Sequence, residues 1–254
     1  MMKIRCLFFF LIGAVFGLNA QIVNIENRRI YEDTSGWSGA LDAGFAVTQN
    51  SPDILYSGNL RPRVQYKTRK NHYLLITDLN YTASNKTTYA NSGMAHFRYA
   101  RRIKNSPWKW EAYTQIQYNQ LLNQRVRYLV GTGPRWKFID TNNVRFFVGT
   151  STFWEYEELT EDGIIHDNFR WSNYLSWFIK TKTGFSFSGT TYYQPRWDRF
   201  SDFRFSGQYN VSQAITKRLD MRIEFNIYYD SAPPVNVRKT VFSSSAGIHL
   251  RLGE

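Results

Sequence analysis

The feature that most constrains this chain is a spacing of aromatic residues. Tyr56 and Tyr66, Tyr89 and Tyr99, and Trp108 and Tyr118 form pairs ten residues apart, each in phase with a two-residue alternation of apolar and polar side chains. Ten residues of extended strand rise roughly 33 Å, and a tilt of about 45° reduces this to about 23 Å, close to the height of the apolar band of a transmembrane β-barrel. Aromatics at both edges of such a band are interfacial girdles. With Trp136, Trp154, Trp171 and Trp177 on the same face, these ten residues are the candidate girdle.

The alternation is clearest from Ile54 to Arg69, where Ile54, Tyr56, Leu60, Val64 and Tyr66 face one way and Asn59, Arg61, Arg63, Gln65 and Lys67 the other. Further segments of this kind run to Leu252 and, with an opening strand near residues 37–48, predict about twelve strands. The fold class expected is all-β, a closed antiparallel up-and-down transmembrane barrel. An even strand number places both termini on one side, so every second connection should be a short turn. Residues 69–71, 101–107, 139–143, 180–182 and 212–218 fill those places. The opposite connections, near 50–53, 83–88, 119–125, 157–167, 195–202 and 230–239, are longer on average. A soluble sandwich or lipocalin-like barrel also alternates, but it buries its apolar face and needs no aromatics at strand ends.

Composition narrows the class. Aromatics make up 17% of the 254 residues, and a mean hydropathy of -0.47 does not suit a helical membrane protein. Residues 1–20 read as an export signal, with Lys3 and Arg5, an apolar run from Leu7 to Leu18, and a small-residue site at Leu18-Asn19-Ala20. An uncleaved anchor is the alternative. Residues 21–35 then form a short periplasmic segment and 36–254 the barrel domain. The one cysteine, Cys6, lies in the leader, so the mature chain has no thiol to bridge or to bind metal. The formal net charge of +12 is spread singly along the strands, and no basic patch or run is expected. Outer-membrane lipids, lipopolysaccharide and small anions are therefore expected partners, and nucleic acid is not.

Strand parity sends one set of charges to the inner face. Arg61, Arg63, Arg98, Arg127, Arg135, Arg145, Arg170, Arg204, Arg222 and Arg251 share it with Asp42, Asp78, Glu111, Glu155 and Glu224, and these are the candidate lumen-lining residues. They either pack as ion pairs that fill a small barrel or, if the lumen is open, favour anions through the excess of arginine. No catalytic residue, metal ligand or cofactor is expected. His72, His96 and His249 fall on the inner face, and no histidine stands in a His-x-Ser arrangement, which weighs against a lipid hydrolase. The segment 157–167 concentrates carboxylates where the chain would face outward, so a weak cation site is conceivable there, though its spacing fits no EF-hand loop.

The final hairpin carries a family likeness. Leu219 to Tyr229, then Asp230-Ser231-Ala232-Pro233-Pro234, then Lys239-Thr240 and a closing strand resemble the YdiY-like salt-induced outer membrane proteins, domain-of-unknown-function family 481. The opening Ser38-Gly39-Ala40-Leu41-Asp42-Ala43-Gly44 is similar more loosely. The chain departs from barrels of this kind in ending Leu250-Arg251-Leu252-Gly253-Glu254 without a terminal aromatic. The resemblance implies an outer-membrane barrel and brings no reaction with it. The expectation is thus a non-enzymatic monomer, a narrow anion-leaning pore or an envelope or osmotic-stress protein. The alternatives are a lipid-modifying enzyme and a soluble binding barrel.

Overall fold

A computed structural model describes residues 35–49, 53–85, 87–160, 163–216 and 219–250. The expected leader and the segment before the barrel lie outside these, as does Arg251, except that Ser35 is described. The chain forms twelve strands: β1 Gly36–Gln49, β2 Ile54–Lys67, β3 Asn71–Ser84, β4 Thr88–Arg102, β5 Trp108–Asn119 and β6 Gln124–Asp140. There follow β7 Val144–Leu159, β8 Ile165–Lys180, β9 Phe185–Pro195, β10 Phe203–Ala214, β11 Leu219–Asp230 and β12 Thr240–Leu250. All belong to one sheet whose spatial order is the chain order, β1 to β12. Each neighbouring pair is antiparallel, from Trp37 opposite Tyr66 in the first to Ile227 opposite Phe242 in the last. Among the described residues β1 and β12 are the two margins of the sheet, and no ladder joins them.

The strands are longer than the alternation alone indicates, and the connections shorter. Glu157 and Glu158 belong to β7 and Ile165 to Asp167 to β8, so the expected acidic loop is reduced to residues 160–164. The connections then sort by end. Residues 68–70, 103–107, 141–143, 181–184 and 215–218 make a turn end; 85–87, 120–123, 160–164, 196–202 and 231–239 belong to a loop end. The connection at 120–123 is a short 3₁₀ turn because the Asn119 side chain accepts from the backbone N–H of Leu121 and Leu122, at 3.0 and 3.3 Å. Ladder irregularities at Thr82/Ala83, Gln117/Asn119 and Lys137/Ile139 all fall near strand ends, where bulges end pairing or re-aim side chains.

Successive residues of a strand point to opposite faces, and burial here is inverted relative to a soluble sheet. Phe45 is 76% exposed and Ile248 72%, whereas Glu155 is 0% exposed and Arg135 3%. Charged groups almost never reach such burial unless paired. Their partners come from distant strands: the Tyr174 hydroxyl on β8 donates to Glu111 on β5 at 3.1 Å, and Arg204 on β10 donates to Glu157 on β7 at 2.7 Å. The sheet therefore curls so that its polar face is concave. That face is not uniformly polar: Leu74, Ile76 and Met94 form a small apolar cluster on β3 and β4.

Candidate functional site

The convex face carries its rings in two rows. At the turn end Trp37 packs on Tyr66 (centroids 4.9 Å), Tyr66 on Tyr73 and Tyr73 on Tyr99 (5.1 Å), and Trp108 stacks on Trp136 at 5.7 Å. Trp177 continues this row against Phe187 and Tyr209. At the loop end Tyr128 meets Tyr156, Trp154 meets the same ring, and Trp171 stacks on Trp197 at 5.7 Å. Tyr56, Tyr89 and Tyr118, each 37–42% exposed, stand on the same face. Two of the indole N–H groups are satisfied locally, Trp110 to Thr132 at 2.7 Å and Trp154 to Asp167 at 2.5 Å.

The concave face holds two charged clusters. The larger is at the loop end and centres on Glu155, whose carboxylate accepts from Arg127 Nε at 2.5 Å, from Arg170 Nε at 2.7 Å, and from Arg204. Arg204 also donates to Glu157 at 2.7 Å and Asp230 at 2.9 Å. Arg170 reaches Asp202 at 3.0 Å, and Asp202 accepts from Arg199 at 3.0 Å and Arg196 at 3.3 Å. Tyr228 closes the far side by donating to Asp230 at 3.1 Å. Buried charges of this density persist only when every lone pair and N–H has a partner.

The smaller cluster is nearer the turn end. Glu111 lies 3.4 Å from both Arg98 and Arg135 and accepts from Tyr174; Arg135 covers the Phe147 ring at 4.2 Å. A ladder of polar side chains runs from His96 to the larger cluster. His96 meets Gln115 at 2.9 Å, Gln115 donates to Gln117, Gln117 to Gln124 at 2.6 Å, and Gln124 to Glu157. Between the clusters is a cavity of about 100 Å³ bordered by His96, Tyr113, Tyr174, Tyr192, Gln208 and Tyr228, room for about three waters at the volume each takes up in the liquid. Gly131 and Gly149 make that arrangement possible. A Cβ on Gly149 would stand 2.1 Å from the Tyr174 ring and one on Gly131 2.4 Å from Tyr113.

The remaining residues singled out from sequence lie toward the margins, except Arg145, which stands at the turn end of β7. Arg61 is 3.5 Å from Asp78 and donates to Asn80 at 3.1 Å; Arg63 is 3.6 Å from Asp42; Arg145 is 3.6 Å from Asp140. Arg222 lies 3.8 Å from Asp220, and Glu224 accepts from Gln208 at 2.7 Å. Margin positions are wet, with the Asp42 side chain 61% exposed. His72 meets Gln65 at 3.1 Å, and the side chain of His249 lies outside the described residues. Sequence reasoning missed Glu157, Asp202, Asp220 and Asp230. With Asp140, the partner of Arg145, they bring the carboxylates from five to ten, against the nine described arginines of the expected set and Arg196 and Arg199, which Asp202 also holds, so most of the excess of arginine disappears. The acidic loop is corrected too: Glu157 is spent on Arg204 and Gln124, and Glu158 lies 2.6 Å from Arg125. Among the described residues no group of three metal-ligating side chains forms.

Solved structures similar to this chain include the NanC porin, at 11% identity and a TM-score of 0.48, covering 84% of this chain and 99% of that one. Another is the outer membrane channel DcaP of Acinetobacter baumannii, at 9% identity and a TM-score of 0.38, covering 82% and 83%. No curated protein matches the chain. The family model described as "Protein of unknown function, DUF481" matches residues 42–249, nearly all of the sheet, and the chain belongs to that family.

Proposed function

We propose that this chain is a monomeric outer-membrane β-barrel in which β12 closes on β1, and that it acts as a narrow, anion-leaning passage rather than as an enzyme. The observation that carries this reading is the inversion of chemistry across one sheet. An apolar face edged by two rows of rings suits lipid, and the opposite face buries Glu155, Arg135 and Asp78. A soluble barrel would bury the residues that are exposed here. The narrowness follows from the loop-end network, which occupies the interior around Glu155 with arginines and carboxylates in balance. The leaning toward anions rests on the turn-end cluster, where two buried arginines flank the one carboxylate of Glu111.

A second reading, an envelope protein that conducts nothing, draws on the same filled interior. Conductance separates the two. The purified chain, folded and shown to be heat-modifiable on gels, is placed in planar bilayers under a potassium chloride gradient. The expected result is a small conductance whose reversal potential lies toward that of chloride, and Arg98→Gln with Arg135→Gln should shift it toward zero. A folded, inserted barrel with no conductance would remove the pore and leave the structural role. Hydrolysis has less support, since His72 and His96 meet glutamine side chains rather than serine hydroxyls.

A further inference from the structure

The loop-end charges balance, and the positive surplus is concentrated at the turn end. Lys70, Arg101, Arg102, Lys104 and Lys109 line a single groove of about 870 Å³ together with Lys137, which Asp140 neutralises at 2.6 Å, and none of the lining residues is a carboxylate. They come from three successive hairpins tied together by backbone hydrogen bonds. Arg102 N–H donates to the carbonyl of Lys70 at 2.8 Å, Ile103 N–H to that of Trp108 at 3.1 Å, and Lys137 N–H to that of Pro107 at 3.1 Å. The cations are therefore gathered on a preorganised frame, not on independent turns.

The apolar part of the groove decides what kind of anion fits. Trp108 is 40% exposed, Trp110 49% and Ile103 45%, and both indoles stand on the convex face. Trp108 is braced by Trp136 and Trp110 by its hydrogen bond to Thr132. Arg101 is the cross-strand partner of Trp110, so the two side chains leave the sheet on the same face. A free phosphate gains nothing from indoles and an isoleucine. An amphiphile with an anionic head and acyl chains uses both: the head among the cations, the chains down the convex face.

We infer that this groove is a binding site for an anionic phospholipid of the leaflet on the turn side, the phosphodiester held by the hairpin cations and the chains lying against Trp108 and Trp110. The inference rests on the membrane-barrel reading and deepens it, since it assigns one lipid class to one patch of the rim. Binding should weaken with salt, because the cations are exposed and screened.

The test uses the full mature chain folded into phosphatidylcholine vesicles containing one-fifth phosphatidylglycerol. Retained lipid is counted by native mass spectrometry after gentle detergent extraction. Wild type should keep phosphatidylglycerol in preference to phosphatidylcholine, and Arg101→Gln with Lys104→Gln should lower that preference about twenty-five-fold, at roughly fivefold per charge. Lys180→Gln with Lys182→Gln, on a different turn, should leave it intact. Equal retention of both lipids by wild type, equal loss in the two double variants, or displacement by inorganic phosphate alone would each overturn the lipid site. Failure of the chain to enter the vesicles would instead overturn the barrel reading on which the site depends; the heat-induced gel shift of each variant separates the two failures.

Discussion

Glu155 shows what one residue is asked to do. Its carboxylate is fully buried and is shared by Arg127, Arg170 and Arg204, so it neutralises three cations that are themselves buried. Glu155→Gln keeps the shape and removes the charge. The expected cost is about 3–5 kcal/mol of folding stability, the usual penalty for leaving buried charges unmatched, read as a lower urea midpoint for the refolded chain. Gly149 makes a different demand, since the Tyr174 ring occupies the place of its side chain. Gly149→Ala should cost about 1–3 kcal/mol through overpacking and should weaken the hydrogen bond from Tyr174 to Glu111. Leu60→Ala, on the exposed convex face, serves as the comparison in detergent and should cost less than either.

At the scale of the element, the connection 196–202 behaves as a strap over the loop end. Trp197 stacks on Trp171, its N–H donates to the carbonyl of Phe169 at 3.0 Å, and Asp202 ties the strap to Arg170. Burial alone would raise the Asp202 carboxyl, but hydrogen bonds from Arg199 and Arg170 outweigh it and hold the group below its ordinary 3.8. The hydrogen bond from Arg196 holds Asp198 below 3.8 in the same way. A carboxyl depressed by folding contributes its full stabilisation above its ordinary value and loses it as pH falls through the lower folded value. The strap should thus stay docked between about pH 5 and 8 and release only below 3.8, seen as loss of the near-ultraviolet circular dichroism of the Trp171–Trp197 pair. Release near pH 6 would point to a histidine instead. Asp202→Asn should loosen the strap at neutral pH and flatten the acid transition.

The strands were legible because period two is a local property: Leu60 and Arg61 announce their faces from their neighbours alone. The same parity, carried one step past Glu155, Arg204 and Tyr228, reaches Glu157, Asp202 and Asp230. Those three were assigned to the outward connections because carboxylates next to turn residues read as solvated. No local pattern reports that Arg204 on β10 meets Glu155 on β7, since that contact depends on how far the sheet curls. Leu74 and Ile76 were hidden for a related reason: an apolar patch on the concave face interrupts the alternation without changing the strand.

At the scale of the whole molecule, the proposed barrel uses one sheet to separate a lipid-facing surface from a charged interior. The polar groups are then not a substitute for a hydrophobic core but a consequence of where the apolar surface has gone. Stability should accordingly depend on the host. In detergent or lipid the convex face is satisfied, whereas in buffer rings such as Trp37 and Phe45, each 76% exposed, would drive association. The most direct measurement is a spin-label scan along β7 in lipid vesicles, in a Cys6→Ser background with one cysteine introduced at each position from Arg145 to Trp154 except Gly149. Labels at Phe146, Val148, Thr150, Thr152 and Trp154 should collide freely with dissolved oxygen and little with a water-soluble nickel complex, while those at the intervening positions should be sheltered from oxygen. Uniform access of the nickel complex to both sets, with no two-residue period, would contradict the account.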